Sequence, residues 1–443
     1  MSICKSKKRN VAILFLGGLL GCAFQVQADP VVSTVILQEG GQGSAERISV
    51  FGNGFGNKAQ AAPILVDHVD VAYENGVRNS IYSDVDGLEA VVRSSDSNVS
   101  LWEKSSFNVR VDSTRAKRHS ASKSQYSFEG ENNFLGWPNA YGGSDTPVDN
   151  RQLYVSWWYK PKVDPASYWA FTTETLNGNF KESEVLLVEG GYEGVYLGID
   201  SDGLINASFP GVSKKNLGGS RIEGKESGAT VIFPMEFRGG SGTGFQTPGS
   251  QKFLRVWEDP NGKEGIRFSW TQMHQTGMGV VNWDAKSLNA GKWNHLEVEL
   301  DTTKGRVDFA INGEFFGGYN FEPAKDASGR YSPTIAALGL NGKVGKLQVG
   351  EIDDIYFDNS LQRVIIGDSP DFDTLTQYEV QRPISWNDGA IEVSLFLGQF
   401  EDRNTLGGLY LYVFDKEGNV NKRGYEICED CKAPPASTSL TVK

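Results

Sequence analysis

Apolar and polar residues alternate in short runs along most of this chain. Leu153-Val155-Trp157-Tyr159, Ile266-Phe268-Trp270, Leu296-Val298-Leu300, Val307-Phe309-Ile311 and Leu409-Leu411-Val413 each repeat with period two. That period sends successive side chains to opposite faces of an extended backbone, so each run predicts a strand with one buried face. Helical periodicity is almost absent beyond residue 28. Asn75-Gly76, Asp86-Gly87, Asn177-Gly178, Asp202-Gly203, Asn261-Gly262, Asn312-Gly313, Asn341-Gly342 and Asp388-Gly389 punctuate the runs. These pairs tolerate the positive φ that tight hairpins require. Strands and hairpins without alternating helices predict an all-β chain of antiparallel sandwiches. The stretch 211–252, with ten glycines and few alternations, predicts long surface loops around one or two strands.

Composition narrows the function classes. The 443 residues are 39% hydrophobic and 11% aromatic, enough for buried cores and incompatible with global disorder. The net charge is −12, and no long Lys/Arg run follows the first residues, so nucleic acid and anionic lipid are poor partners. Lys5, Lys7, Lys8 and Arg9 precede an apolar run from Val11 to Leu20 that is too short for a permanent span. This is the pattern of a secretory signal peptide, residues 1–28. Two cleavage sites compete. Val26-Gln27-Ala28 fits ordinary signal peptidase, whereas Leu19-Leu20-Gly21-Cys22 would make Cys22 a lipidated N-terminus. The first is favoured because no polar, flexible linker follows Cys22. A lipid on Cys22 would be the one route to a membrane surface. The expected address is therefore periplasm, outer surface or extracellular space. Beyond the leader only Cys428 and Cys431 remain, too few for a zinc site and outside any thioredoxin-like unit. A local disulfide in an oxidising compartment accounts for them, with a disordered tail over 431–443.

The segment from Gly291-Lys292-Trp293-Asn294-His295 through Leu300, followed by Val307 to Glu314, resembles laminin G-like, concanavalin A-like jelly rolls. Glu351-Ile352-Asp353-Asp354-Ile355-Tyr356-Phe357-Asp358 resembles the last strand of that fold. The resemblance implies a jelly roll over 67–373 with Gly-rich loop insertions, in which His295 is structural. Separately, Ile48 to Gly56 resembles the first half of an IPT/TIG-type immunoglobulin-like domain, whose later half resembles Ile384–Val393 and Leu409–Val420. Residues 29–66 and 374–430 together approach the roughly 100 positions of one immunoglobulin-like sandwich. The expectation is one small sandwich split by the inserted jelly roll, which is feasible where domain termini lie close together.

Candidate chemistry is sparse. Glu351-Ile352-Asp353 begins like the Glu-x-Asp-x-x-Glu of laminarinase-type hydrolases, but Tyr356 stands where the second glutamate belongs, so the carboxylate pair is broken. The remaining reading is a strand with acidic residues on its wet face. Gln272-Met273-His274 resembles the Gln-x-His strand of jelly-roll alginate lyases, with Arg255 on a nearby strand. His274 as base, Gln272 and Arg255 as carboxylate neutralisers and a tyrosine as acid would suit uronate elimination. Asp200 with Asp202, and Asp368 with Asp371 and Asp373, are oxygen-rich turns that would suit a structural calcium or merely cap themselves. No other cofactor is expected. The reading is an exported protein that binds a polysaccharide or glycoconjugate or mediates adhesion, probing glycan with Tyr154, Trp158, Arg255, Gln272 and His274. A polysaccharide lyase and a structural surface protein without small ligand are the alternatives. Alternation places Tyr154, Ser156, Trp158 and Lys160 on one face of their strand, mixing aromatic and polar groups as a binding face does.

Overall fold

The structure is a computed structural model that describes residues 29–39, 45–69, 72–74, 77–79, 102–103, 109–115, 117–120, 122, 124–129, 133–135, 137–138, 151–164, 167–200, 202–235, 252–257, 267–271, 280–283, 288–320, 334–341 and 349–428. The leader with Cys22, and Cys431 with the tail, lie outside the described residues. Among those described, the chain forms sheets of ten, seven, six, five and two strands, and no helix is long and apolar enough to cross a membrane. The fold is all-β and sandwich-like.

The central, ten-stranded sheet is built around Gln152–Pro161, which pairs antiparallel with Asn294–Asp301 on one side and Val349–Asp358 on the other. Leu153, Val155, Trp157 and Tyr159 join Leu296, Val298, Leu300, Ile352, Ile355 and Phe357 in one buried core. The period-two pattern is thus the imprint of one apolar face. Asn312-Gly313 makes the hairpin between Arg306–Ile311 and Glu314–Asn320, both residues taking positive φ (51° and 74°). A five-stranded sheet contains Lys252–Trp257, Arg267–Thr271 and Thr334–Asn341.

The seven-stranded sheet joins the two ends of the chain. Val31–Glu39 pairs with Ala45–Asn53, which pairs with Ala390–Ser394, Ser49 lying opposite Glu392. Tyr378–Asn387 follows, then Arg363–Gly367, Tyr410–Phe414 and Tyr425–Glu426. The register of Tyr378–Asn387 shifts between Pro383 and Ser385. Proline lacks the amide that the ladder needs, and the shift falls where the strand passes from one partner to the next. Ile48, Val50 and Phe55 share one core with Val364, Trp386, Val393, Leu409 and Leu411. Arg363–Gly367 falls inside the span 67–373 anticipated for the larger sandwich, yet it pairs wholly with strands of this terminal sheet.

A third core lies between the strands of the central sheet in sequence. Tyr168–Phe171, Ile205–Ser208, Tyr192–Ile199, Val185–Val188, Arg221–Gly224 and Thr230–Ile232 form a six-stranded sheet in that spatial order. Asn177 and Thr230 exchange two backbone hydrogen bonds of 2.8 and 2.9 Å, which brings its two edges together. Trp169, Phe171, Phe209, Phe233 and Leu217 fill the interior. The Gly-rich stretch thus contributes two of these strands and one helical turn, Lys214–Leu217.

Candidate functional site

The second face of the central sheet carries the chemistry. Register places Tyr154, Ser156, Trp158 and Lys160 beside Glu299, Glu297 and His295 on one neighbouring strand, and beside Asp358, Tyr356, Asp353 and Glu351 on the other. The expectation that these acidic residues line a wet face is corrected: Glu351, Asp353, Asp354 and Asp358 are 8%, 0%, 8% and 1% exposed. The terminal sheet and the segment around residues 117–120 lie over this face, forming a seam.

At the Tyr154 end the cover is complete. Tyr154 is fully buried, its hydroxyl donates to Glu297 Oε1 at 2.6 Å, and the Arg363 guanidinium lies 4.1 Å from its ring centroid. Tyr378 of the terminal sheet also donates to Glu297, and Arg363 pairs with Glu299. Burial would raise Glu297, but His295, Arg363 and the two tyrosine hydroxyls hold it below the usual carboxylate range. Tyr154 therefore has no surface free for a ligand. Alternation identified its face correctly but not the strand from the terminal sheet that packs onto it.

The middle of the face is the densest cluster of charge. Between Ser156 and Trp158 the register with Val349–Asp358 shifts by one residue, and Asp354 adopts φ 47°. Such a bulge re-aims a side chain, and here Asp354 meets His68 (2.5 Å), His119 (3.4 Å) and the Arg118 guanidinium. Arg118 also grips Glu379 of the terminal sheet in a fork of 2.7 and 3.1 Å and lies 4.6 Å from the Trp158 ring centroid. His119 reaches Glu401 at 3.3 Å. Asp67 fixes the approach of His68: it accepts from Val69 N–H, Trp102 and Tyr126 at 2.7–2.8 Å. Val69 holds φ 64°, which is unusual for a β-branched residue.

These contacts divide the protons. Despite burial, Arg118, His119 and His68 keep Asp354 well below the usual carboxylate range. Burial and the Asp354 charge push its neighbour Asp353 well above that range, so the two adjacent carboxyls are driven apart in proton affinity. Burial would lower His119, yet Asp354 and Glu401 outweigh it and push it up to about 10. His295, buried and stacked on Trp158 with centroids 4.8 Å apart, is lowered by burial. Trp158, His68, Phe396 and Tyr356 border a cavity of about 20 Å³, room for one water molecule and far too small for a sugar ring.

The Lys160 end is more open. Lys160, Trp158 and Trp293 are all partly exposed. Lys160 Nζ lies 5.8 Å from the Trp293 ring centroid and 3.7 Å from Glu351, which Arg115 also pairs at 2.9 Å. The Trp293 indole nitrogen is buried and has no hydrogen-bond partner among the described residues.

Arg255 lies on Lys252–Trp257, its backbone opposite Ser269 and Ala337, and its side chain lies outside the described residues, as do Gln272 and His274. Asp200 accepts from the backbone of Asp202 and Leu204, Asp368 from Thr376 and Gln377, and Asp371 from Asp373, so these carboxylates cap their own turns. Among the described residues no three His, Cys, Asp or Glu side chains are arranged to hold a metal ion. Cys428 is disulfide-bonded. His68, His119, Arg118, Glu379 and Trp293 were not singled out from sequence. Only Trp293 carried a usable signal, its position two residues before His295 on the same strand face.

No family model matches the sequence, and no curated protein matches it either. Among solved structures, the chain is similar to alginate lyase Aly36B, at 10% identity and TM-score 0.28, covering 67% of this chain and 98% of that one. It is also similar to the CBM40 of a Ruminococcus gnavus IT-sialidase bound to α2,3 sialyllactose, at 11% identity and TM-score 0.20, covering 53% and 91%. The binding domain of Paraclostridial Mosquitocidal Protein 1 is a further match, at 9% identity and TM-score 0.23, covering 87% and 70%. Scores this low leave the fold and the site to be read from the chain's own residues.

Proposed function

We propose that this chain is an exported, non-enzymatic carbohydrate-binding or adhesion protein, in which a larger sandwich is inserted into a smaller, split one. The glycan lies at the Lys160 end of the central sheet. The observation that carries this reading is the partly exposed Trp293 beside Lys160, with Arg115 and Glu351 next to them. Sugars present apolar C–H faces to indole rings and hydroxyls to charged groups. The non-enzymatic part is supported by how the carboxylates are used. Glu351 is held by Arg115 and Lys160, Asp353 by Ser122 and Asp354 by Arg118. The leader and the disulfide at Cys428 support export to an oxidising compartment.

Glycan-array screening of the full mature chain, followed by titration of the best ligand, tests the reading. Trp293→Ala is expected to weaken binding about tenfold, the scale of one lost aromatic contact, with little change in melting temperature. Unchanged affinity would remove the glycan from this end of the sheet. Absorbance from unsaturated uronate products on incubation with polyuronates would overturn the non-enzymatic part.

A further inference from the structure

Lys58 and Asp358, 300 positions apart in sequence, meet where the chain passes between the terminal and central sheets. Lys58 follows Ala45–Asn53, and Asp358 ends Val349–Asp358. The Lys58 Nζ lies 2.5 Å from Asp358 Oδ2, and the two side chains are 3% and 1% exposed. Nζ also donates to the Ala61 carbonyl at 3.1 Å, and the Trp386 ring stands 5.5 Å away as an apolar wall. The Tyr356 hydroxyl donates to Asp358 Oδ2 at 3.3 Å. Asp358 Oδ1 is buried, and no group among the described residues meets it in good hydrogen-bond geometry.

A buried ion pair offsets its desolvation only when its remaining protons and lone pairs are satisfied. This pair does not meet that condition. An ammonium has three protons to place and Lys58 places two; of the two charged carboxylate oxygens Oδ1 has no partner in good hydrogen-bond geometry, although the Asn359 N–H lies beside the carboxyl. Moving one proton from the ammonium to the carboxylate leaves two uncharged groups, which cost less to bury. Burial acts in that direction too, raising Asp358 above the usual carboxylate range against the pull of Lys58.

We propose that Lys58 and Asp358 condense into an intramolecular isopeptide bond. The Nζ lone pair attacks Cγ of the protonated Asp358, forming the N–C bond and placing negative charge on Oδ2, where the Tyr356 hydroxyl donates to it. A proton passes from Nζ to the protonated Oδ1, the C–Oδ1 bond breaks, and that oxygen leaves as water while the Oδ2 carbonyl re-forms. One amine hydrogen and one acid hydroxyl are lost, with no oxidant, reductant or co-reactant. In the product the amide N–H faces the Ala61 carbonyl and the amide oxygen accepts from Tyr356. The oxygen removed is the one that had no partner in good hydrogen-bond geometry.

Peptide mapping of the purified full chain, after reduction and denaturation, tests this. A branched peptide joining the Lys58 and Asp358 segments, lighter than their sum by one water and uncut by trypsin after Lys58, is the expected result. Separate linear peptides with a free Lys58 would overturn it. Asp358→Asn should reach a product of the same mass by losing ammonia, whereas Lys58→Arg and Asp358→Ala should show only linear peptides. Tyr356→Phe, which keeps the ring, should slow the appearance of the branched peptide in freshly made protein at least tenfold. An unchanged rate would overturn the role given to its hydroxyl.

Discussion

At the seam, carboxylates, histidines and guanidinium groups fill the space between two sheets; in the six-stranded sheet of residues 168–233, Trp169, Phe171, Phe209 and Phe233 fill it. The seam is specified by pairings such as Arg118 with Glu379 and Arg363 with Glu299, and each is worth most through the cost of breaking it. The six-stranded sheet draws on apolar burial, and its polar demands are met at its turns. There Glu184 accepts from the backbone of Glu226 and Ser227 and from the Ser227 hydroxyl. One region thus depends on protonation state and partner identity, the other on area and shape.

The largest expected separation comes from Arg118→Ala. It strands Asp354 and Glu379 without their shared cation, which should cost about 3–5 kcal/mol. Amide hydrogen exchange should show lost protection in Tyr378–Asn387 and Val349–Asp358 while Tyr192–Ile199 is unchanged. Equal loss in all three would mean the regions unfold as one unit. Glu184→Ala is the reciprocal test. It leaves several turn donors unpaired at a cost of roughly 1–3 kcal/mol, and its exchange signature should stay within residues 168–233. The third test is a shift with alkaline pH, which removes charge a little at a time. Because His119 is raised from 6.5 to about 10, its stabilising charge is complete below 6.5 and is lost as pH climbs toward 10. The six-stranded sheet buries Tyr196, raised above 10.0 by burial, which stays protonated across that window. Between those limits the seam should lose protection first; a seam indifferent to pH there would remove His119 from the account.

Much of the fold was legible because a strand with one apolar face writes that face into alternate positions, as Leu296-Val298-Leu300 does. Asn312-Gly313 was legible because positive φ restricts the residues that serve it. The covering of Tyr154 was not legible. Alternation tells which residues share a face and nothing about what lies opposite, and Tyr378 stands more than two hundred positions away. Arg118 and His119 sit in a segment with no periodic signal, so their role depends entirely on what they meet. The six-stranded sheet was missed for a different reason. Its strands are as short as Thr230–Ile232, three residues, and hold too few alternations to stand out among glycines.

That the cover of the central sheet belongs to the same chain has a consequence for any ligand. A tethered cover is present at an effective concentration of millimolar or more, however dilute the protein. A soluble sugar can take the Tyr154 face only by outcompeting that permanent occupant, so a weak binder is confined to the Lys160 end.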